Sequence, residues 1–261
     1  MSPRKLTAGP GLQQVTVKAD YLNLTVLNCG PSDEGGAELG GPEDVTGKVR
    51  AAREGSVWHL TWPAGISGGG GSVFIGNGGC QVSSFAGGGS INIGSMSGSG
   101  RVMVNGVDVT DYVRGQAGQS AGGEVTAVLR VPAGTNVSAE VKSGQVTVRG
   151  SFGQFRAVTQ SADTDLSAAD VAAMEVSSRS GDVEAGATGP AMIATQSGDV
   201  TVTAARGAVQ AQSMSGDVEV HVTESVAVTA KSMSGDVRVT KAGGTRPLVS
   251  ASSMSGKVRQ P

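Results

Sequence analysis

Ser180-Gly181-Asp182-Val183, Ser197-Gly198-Asp199-Val200, Ser215-Gly216-Asp217-Val218 and Ser234-Gly235-Asp236-Val237 are four copies of one tetrapeptide. Looser copies flank them: Ser143-Gly144-Gln145-Val146 before and Ser255-Gly256-Lys257-Val258 after. Successive glycines lie 17 (181→198), 18 (198→216), 19 (216→235) and 21 (235→256) residues apart. A period of this length means one small structural unit stacked on copies of itself. Counting from each glycine, apolar residues recur at minus seven (Met174, Ala191, Val209, Val228, Val249) and minus five (Val176, Ile193, Ala211, Ala230, Ala251). They recur at plus two (Val183, Val200, Val218, Val237, Val258) and plus four (Ala185, Val202, Val220, Val239). A spacing of two puts each pair on one face of a strand. Strands this short cannot bury their apolar side alone, so the repeats must stack in register, like residue on like.

Composition agrees. Glycine accounts for 42 of 261 residues and aromatics for only 3%, which suits a thin core of Val, Ala, Ile and Met with glycine at tight corners. The repeats define residues 131–261 as the regular segment, with Ser161-Ala162-Asp163 holding a corner where glycine has been lost. Residues 66–130 are Gly-rich. Val73, Val82 and Ile91 are nine apart there, half of eighteen, which predicts two strands and two corners per turn in irregular rungs. Residues 106–130 break that rhythm, with Val107–Val113 as an excursion or a hairpin at the rim, and strand patterning resumes at Glu124–Val131. Residues 1–65 alternate apolar and polar at Gln14–Val17, Leu22–Leu27 and Ser56–Trp62, and are predicted to form an N-terminal β cap or first strands, with Trp58 and Trp62 in its core.

The formal net charge of −2 gives no steering toward nucleic acid or an anionic membrane. No apolar stretch approaches 18 residues, so no spanning helix is expected. Met1–Pro10 has no apolar segment after its charges, which predicts no secretory signal in this chain and a cytoplasmic location. A chain trimmed of its signal would read the same, so envelope or surface association stays open. Cys29 and Cys80 read as two small buried hydrophobes, with a disulfide between them as the minority reading.

The residues with chemistry are mostly ladders. Asp182, Asp199, Asp217 and Asp236 stack along one corner, where each is expected to bond its own turn backbone. The sharper alternative makes them a string of calcium ligands. Ser213-Met214-Ser215, Ser232-Met233-Ser234 and Ser253-Met254-Ser255, with Ser95-Met96-Ser97 earlier, form a second ladder. If the serines face in, Met faces out or over the edge, either as an adaptable contact stripe or as a cover for the corner and its glycines. Position plus three (Glu184, Thr201, Glu219, Arg238, Arg259) faces out, which makes Glu219 and Arg238 cross-rung neighbours. His59 and His221 read as strand-surface residues, and Lys257, Arg259 and Pro261 as charge and proline that discourage strand addition at an edge. No phosphate loop, zinc-helix motif or nucleophile elbow is present in the sequence. The expectation is no catalytic residue, no cofactor and no metal beyond the calcium alternative.

The run Val131-Pro132-Ala133-Gly134-Thr135-Asn136-Val137, followed by Ser143–Val148 and the Ser-Gly-Asp-Val series, resembles the bacterial "putative adhesin" β-strand-repeat family, a domain of unknown function. The similarity covers roughly residues 10–260 and is densest after Val131. It implies a single-stranded, right-handed β-solenoid and a link to the cell envelope or surface, and it carries over no catalytic residues. The resulting expectation is an all-β, right-handed parallel β-solenoid with rungs of about eighteen residues. It would serve as a non-catalytic scaffold for a protein or envelope partner. Two alternatives are an end-to-end polymer associating through the solenoid ends and a glycan-acting solenoid enzyme.

Overall fold

The computed structural model describes residues 3–29, 35–65, 81–82, 103–104, 107–108 and 125–261. The irregular repeats expected over 66–130 lie outside the described residues apart from three dipeptide strands and 125–130, and so do Cys80 and Ser95-Met96-Ser97. In chain order the first elements are β1 (Arg4–Gly9), β2 (Gln14–Asn28), β3 (Gly35–Gly40), the one-turn helix α1 (Glu43–Thr46), β4 (Arg50–Glu54) and β5 (Val57–Thr61). The dipeptides β6 (Gln81–Val82), β7 (Met103–Val104) and β8 (Val107–Asp108) pair only with one another. Then come β9 (Thr126–Val131) and the 45-residue β10 (Asn136–Ser180). Nine more strands follow: β11 (Val183–Thr188), β12 (Ala191–Ser197), β13 (Val200–Ala205), β14 (Val209–Ser215), β15 (Val218–Val222), β16 (Ala227–Ser234), β17 (Val237–Lys241), β18 (Leu248–Ser253) and β19 (Val258–Arg259).

The protein is all-β, dominated by one long parallel sheet. From β11 onward the chain alternates between two ladders. Strands β11, β13, β15, β17 and β19 pair side by side, and β12, β14, β16 and β18 pair in the other row; both rows run back to β10. The register is like on like: Val183↔Val200↔Val218↔Val237↔Val258 in one ladder and Met174↔Ala191↔Val209↔Val228↔Val249 in the other. Inward residues from both ladders belong to a single core cluster, with Val200, Val202, Val218, Val220, Ile193 and Ala211 almost fully buried. Each buried valine contributes on the order of 1.5–3 kcal/mol. A repeat holds only about four such side chains, so a repeat alone cannot offset its ordering entropy, and stability has to come from stacking.

The two corners of a repeat differ. At the Gly-Asp corner just two residues separate the strands each time (181–182, 198–199, 216–217, 235–236). The opposite connection grows from Gly189-Pro190 through Arg206–Ala208 and Thr223–Val226 to Ala242–Pro247. The rising period enters on that side, with a bulge between Val202 and Ala205 absorbing one residue.

At the other edge, spatial order departs from chain order. Strand β2 lies inside the stack: it pairs with β10 over Gln14↔Asn136 to Leu27↔Arg149, and on its other side with β5 and then β9. Beyond these the pairing turns antiparallel, β4 on β5, and β3 on β9 with β1 outermost. Trp58 and Trp62 are 2% and 3% exposed, in the core as expected. The Arg53 guanidinium donates to the carbonyls of Ala8, Pro10 and Gly55 and so ties β1 to β4.

Candidate functional site

The polar chemistry that recurs in each repeat gathers at the Gly-Asp corner. Each aspartate reaches across to the next repeat. Oδ1 of Asp163, Asp182, Asp199, Asp217 and Asp236 accepts the backbone N–H of Asp182, Asp199, Asp217, Asp236 and Lys257 at 3.1, 2.9, 2.8, 2.7 and 2.8 Å. The expectation of a bond to each residue's own turn is therefore replaced by a bond between turns. The N–H that leads into each new strand has no ladder partner at the corner, and the previous carboxylate is the acceptor within reach. Ser161-Ala162-Asp163 joins this spine without a glycine. Asn28 and Asn136 play the same part near the start of the stack, accepting from Ser151 and Gln154.

The first serine of the three described Ser-Met-Ser copies faces inward. Ser213, Ser232 and Ser253 Oγ donate to the carbonyls of Gly198, Gly216 and Gly235 at 3.1, 2.9 and 2.7 Å. The inward hydroxyls of Ser213, Ser232 and Ser253 and one oxygen of each corner carboxylate thus hold repeats together. The calcium candidates Asp182, Asp199, Asp217 and Asp236 form a line, each spending one oxygen on an amide, and no group of three His, Cys, Asp or Glu side chains is placed to hold a metal among the described residues.

That leaves the two outward faces. The face of β11, β13, β15 and β17 is charged. Arg238 Nη1 lies 3.6 Å from Glu219 Oε1, the expected cross-repeat pair, and His221 Nδ1 is 2.8 Å from Thr240 Oγ1. His59 alternates with buried Trp58 and Leu60 and sits between Thr16 and Ala52 on neighbouring strands. The face of β12, β14, β16 and β18 is nearly uncharged. Its rows read Met192-Gln210-Thr229-Ser250 and Ala194-Gln212-Lys231-Ser252 across the four strands, then Met214-Met233-Met254. Two shallow depressions of about 650 and 510 Å³ lie on this face. The first is bordered by Met192, Pro190 and the Arg156–Glu175 pair at 3.7 Å, the second by Gln196, Lys231 and the methionine row. The depressions have no signature in sequence, because their walls come from residues a full repeat apart. The outward methionines were legible, from Met beside an inward serine.

Three carboxylates are held below their ordinary range. Asp20 is lowered first by the hydrogen bond from Lys142, 2.6 Å away, and then by the Gly65 N–H. Glu38 is lowered by Arg130. At Asp165 burial pushes upward, but the hydroxyl and amide of Ser167 with the charge of Arg149 outweigh it.

A family model, Toastrack DUF4097, matches residues 88–261. A solved protein of Bacteroides fragilis described as a "putative adhesin" shares the fold with a TM-score of 0.53 at 12% identity, covering 98% of this chain and 94% of its own. A protein of Clostridium sporogenes described as a "putative cell adhesion protein" aligns over 98% of this chain and 100% of its own at 7% identity, with a TM-score of 0.27 that is too low to carry an argument. No curated protein matches. No described helix is long and apolar enough to cross a membrane.

Proposed function

The chain belongs to the Toastrack DUF4097 family, and on that premise we propose that it is a non-catalytic, adhesin-like scaffold: a single-stranded, right-handed β-solenoid of about eighteen-residue rungs that presents its outer ladder faces to a protein or envelope partner. One observation carries the reading. The polar groups that repeat at the corner are used between repeats, as Asp Oδ1 to the next amide and Ser Oγ to the previous glycine carbonyl. What faces solvent on β12, β14, β16 and β18 is a regular array of outward side chains suited to recognition. The description of the Bacteroides protein lends the adhesion reading support by analogy of fold alone. Head-to-tail polymerisation is less favoured, because one edge of the sheet ends in antiparallel β1 and β4 while the other ends in parallel β18 and β19, so the two edges do not continue one another's ladder.

The test is fractionation of native cells followed by affinity capture with the purified chain, alongside a hydrolysis panel of glycans. The reading expects a specific captured partner, weakened by substitutions on the β12–β18 face, and no turnover. Measurable hydrolysis without a partner would reject it.

A further inference from the structure

Exposed methionine is concentrated in one row. Among the described residues the exposed large apolar side chains are Val158, Leu248, Val258 and four methionines, and three of the four are Met214, Met233 and Met254, exposed by 50%, 46% and 79%. The register places Met214 on β14 beside Met233 on β16, since Ser213 pairs with Ser232, and Met254 follows directly on the end of β18, where Ser232 pairs with Ser253 and the Met254 N–H donates to the Ser232 carbonyl. Neighbouring strands are ~4.8 Å apart, and a thioether sits at the end of a flexible, unbranched chain. The outer two sulfurs can lean toward the central one without moving the backbone, so three thioethers can share one ion.

The surroundings favour soft chemistry. Ser213, Ser232 and Ser253 spend their hydroxyls on glycine carbonyls. The neighbouring row on this face offers Gln212, Lys231 and Ser252, with no carboxylate or imidazole. Asp217 and Asp236, around the corner, hold the amides of Asp236 and Lys257. Hard cations want several oxygens and zinc wants nitrogen, thiolate or carboxylate. A donor set of thioethers selects a soft monovalent d¹⁰ ion. We propose that Met214, Met233 and Met254 form a binding site for Cu(I) or Ag(I). The site is independent of the scaffold reading above and involves binding alone, with no electron transfer.

The experiment uses the full chain with methionine methyls labelled with ¹³C, thiols of Cys29 and Cys80 alkylated, and silver nitrate added in chloride-free buffer. Met192 lies on the same face beside Gln210, away from the row, and is 55% exposed, so it serves as an internal control. The site predicts that the Met214, Met233 and Met254 methyl signals shift together and saturate at one equivalent while Met192 stays put. Cu(I) kept reduced should compete for the same shift, and Zn(II) and Ca(II) should leave the signals in place. M233L keeps the apolar surface and removes the sulfur, so it should weaken Ag(I) binding at least tenfold with an unchanged circular-dichroism spectrum and melting midpoint. Absence of a shift, an equal response from Met192, or binding that survives M214L/M233L/M254L would overturn the proposal.

Discussion

A Cβ at position 216 would stand 2.2 Å from the carbonyl oxygen of Gly198, on a backbone with φ of +151°. Both obstacles recur at Gly181, Gly198 and Gly235, so the corner glycine is required by the repeat beneath it as well as by its own turn. Gly216→Ala should therefore cost about 3 kcal/mol or more, since the blocking atom is backbone and cannot swing away. Gly243→Ala, at a position with nothing within 4 Å of the new carbon, should stay within about 0.5 kcal/mol. Urea midpoints of the two variants make the comparison. The aspartate beside the glycine acts as an acceptor. Asp217→Asn keeps an oxygen for the Asp236 amide and should be nearly neutral, as Asn28 and Asn136 already suggest at equivalent bonds. Asp217→Ala leaves that exposed amide to water and should lose about 0.5–1 kcal/mol. Equal losses for Asn and Ala would show that charge, not hydrogen bonding, fixes the residue.

At the scale of the element, the two corners of a repeat tolerate different things. The Gly-Asp corner keeps two residues because its amide, carboxylate and carbonyl are all bonded to the neighbouring repeats, and one extra residue there would shift every later inward side chain to the outer face. The opposite connection has already lengthened to Ala242–Pro247 between β17 and β18. Two glycines inserted between Gly243 and Gly244 should leave the melting midpoint within a few degrees, since loop length enters entropy only logarithmically. The same pair inserted between Gly216 and Asp217 should unfold β15 to β19 or abolish soluble expression. Circular dichroism with limited proteolysis reads both outcomes.

Over the whole molecule, stability is a sum of neighbour terms that ends at one edge in antiparallel strands. Part of the pairing toward that edge is electrostatic. Asp20 joins β2 to Lys142 of β10, and Glu38 joins β3 to Arg130 of β9. Both carboxyls lie below their ordinary values when folded. A group depressed on folding contributes above its unfolded pKa and loses that contribution as pH falls through the folded one. The urea midpoint should therefore hold level from pH 7 to about 5 and drop below about 4.5. Asp20→Asn should start lower at pH 7 and decline less steeply; a decline as steep as in the parent chain would exclude Asp20 as a contributor.

The tetrapeptide series by itself determined the repeating strand–corner unit, the inward residues from Met174 to Val239 and the glycine at the corner; Val258, expected to face inward, is exposed because no further repeat covers the last strand. Those features are local: a period of two within a strand and a fixed corner spacing are written in neighbouring residues. Tertiary structure decided what depends on residues far apart in the chain. It set β2 inside the stack between β10 and the pair β5 and β9, turned β1, β3 and β4 antiparallel, and sent each Asp oxygen to the next repeat instead of to its own turn. It also lined up Met214, Met233 and Met254. Partner choice across a sheet is fixed by which edge meets which, and sequence spacing within one strand does not encode that.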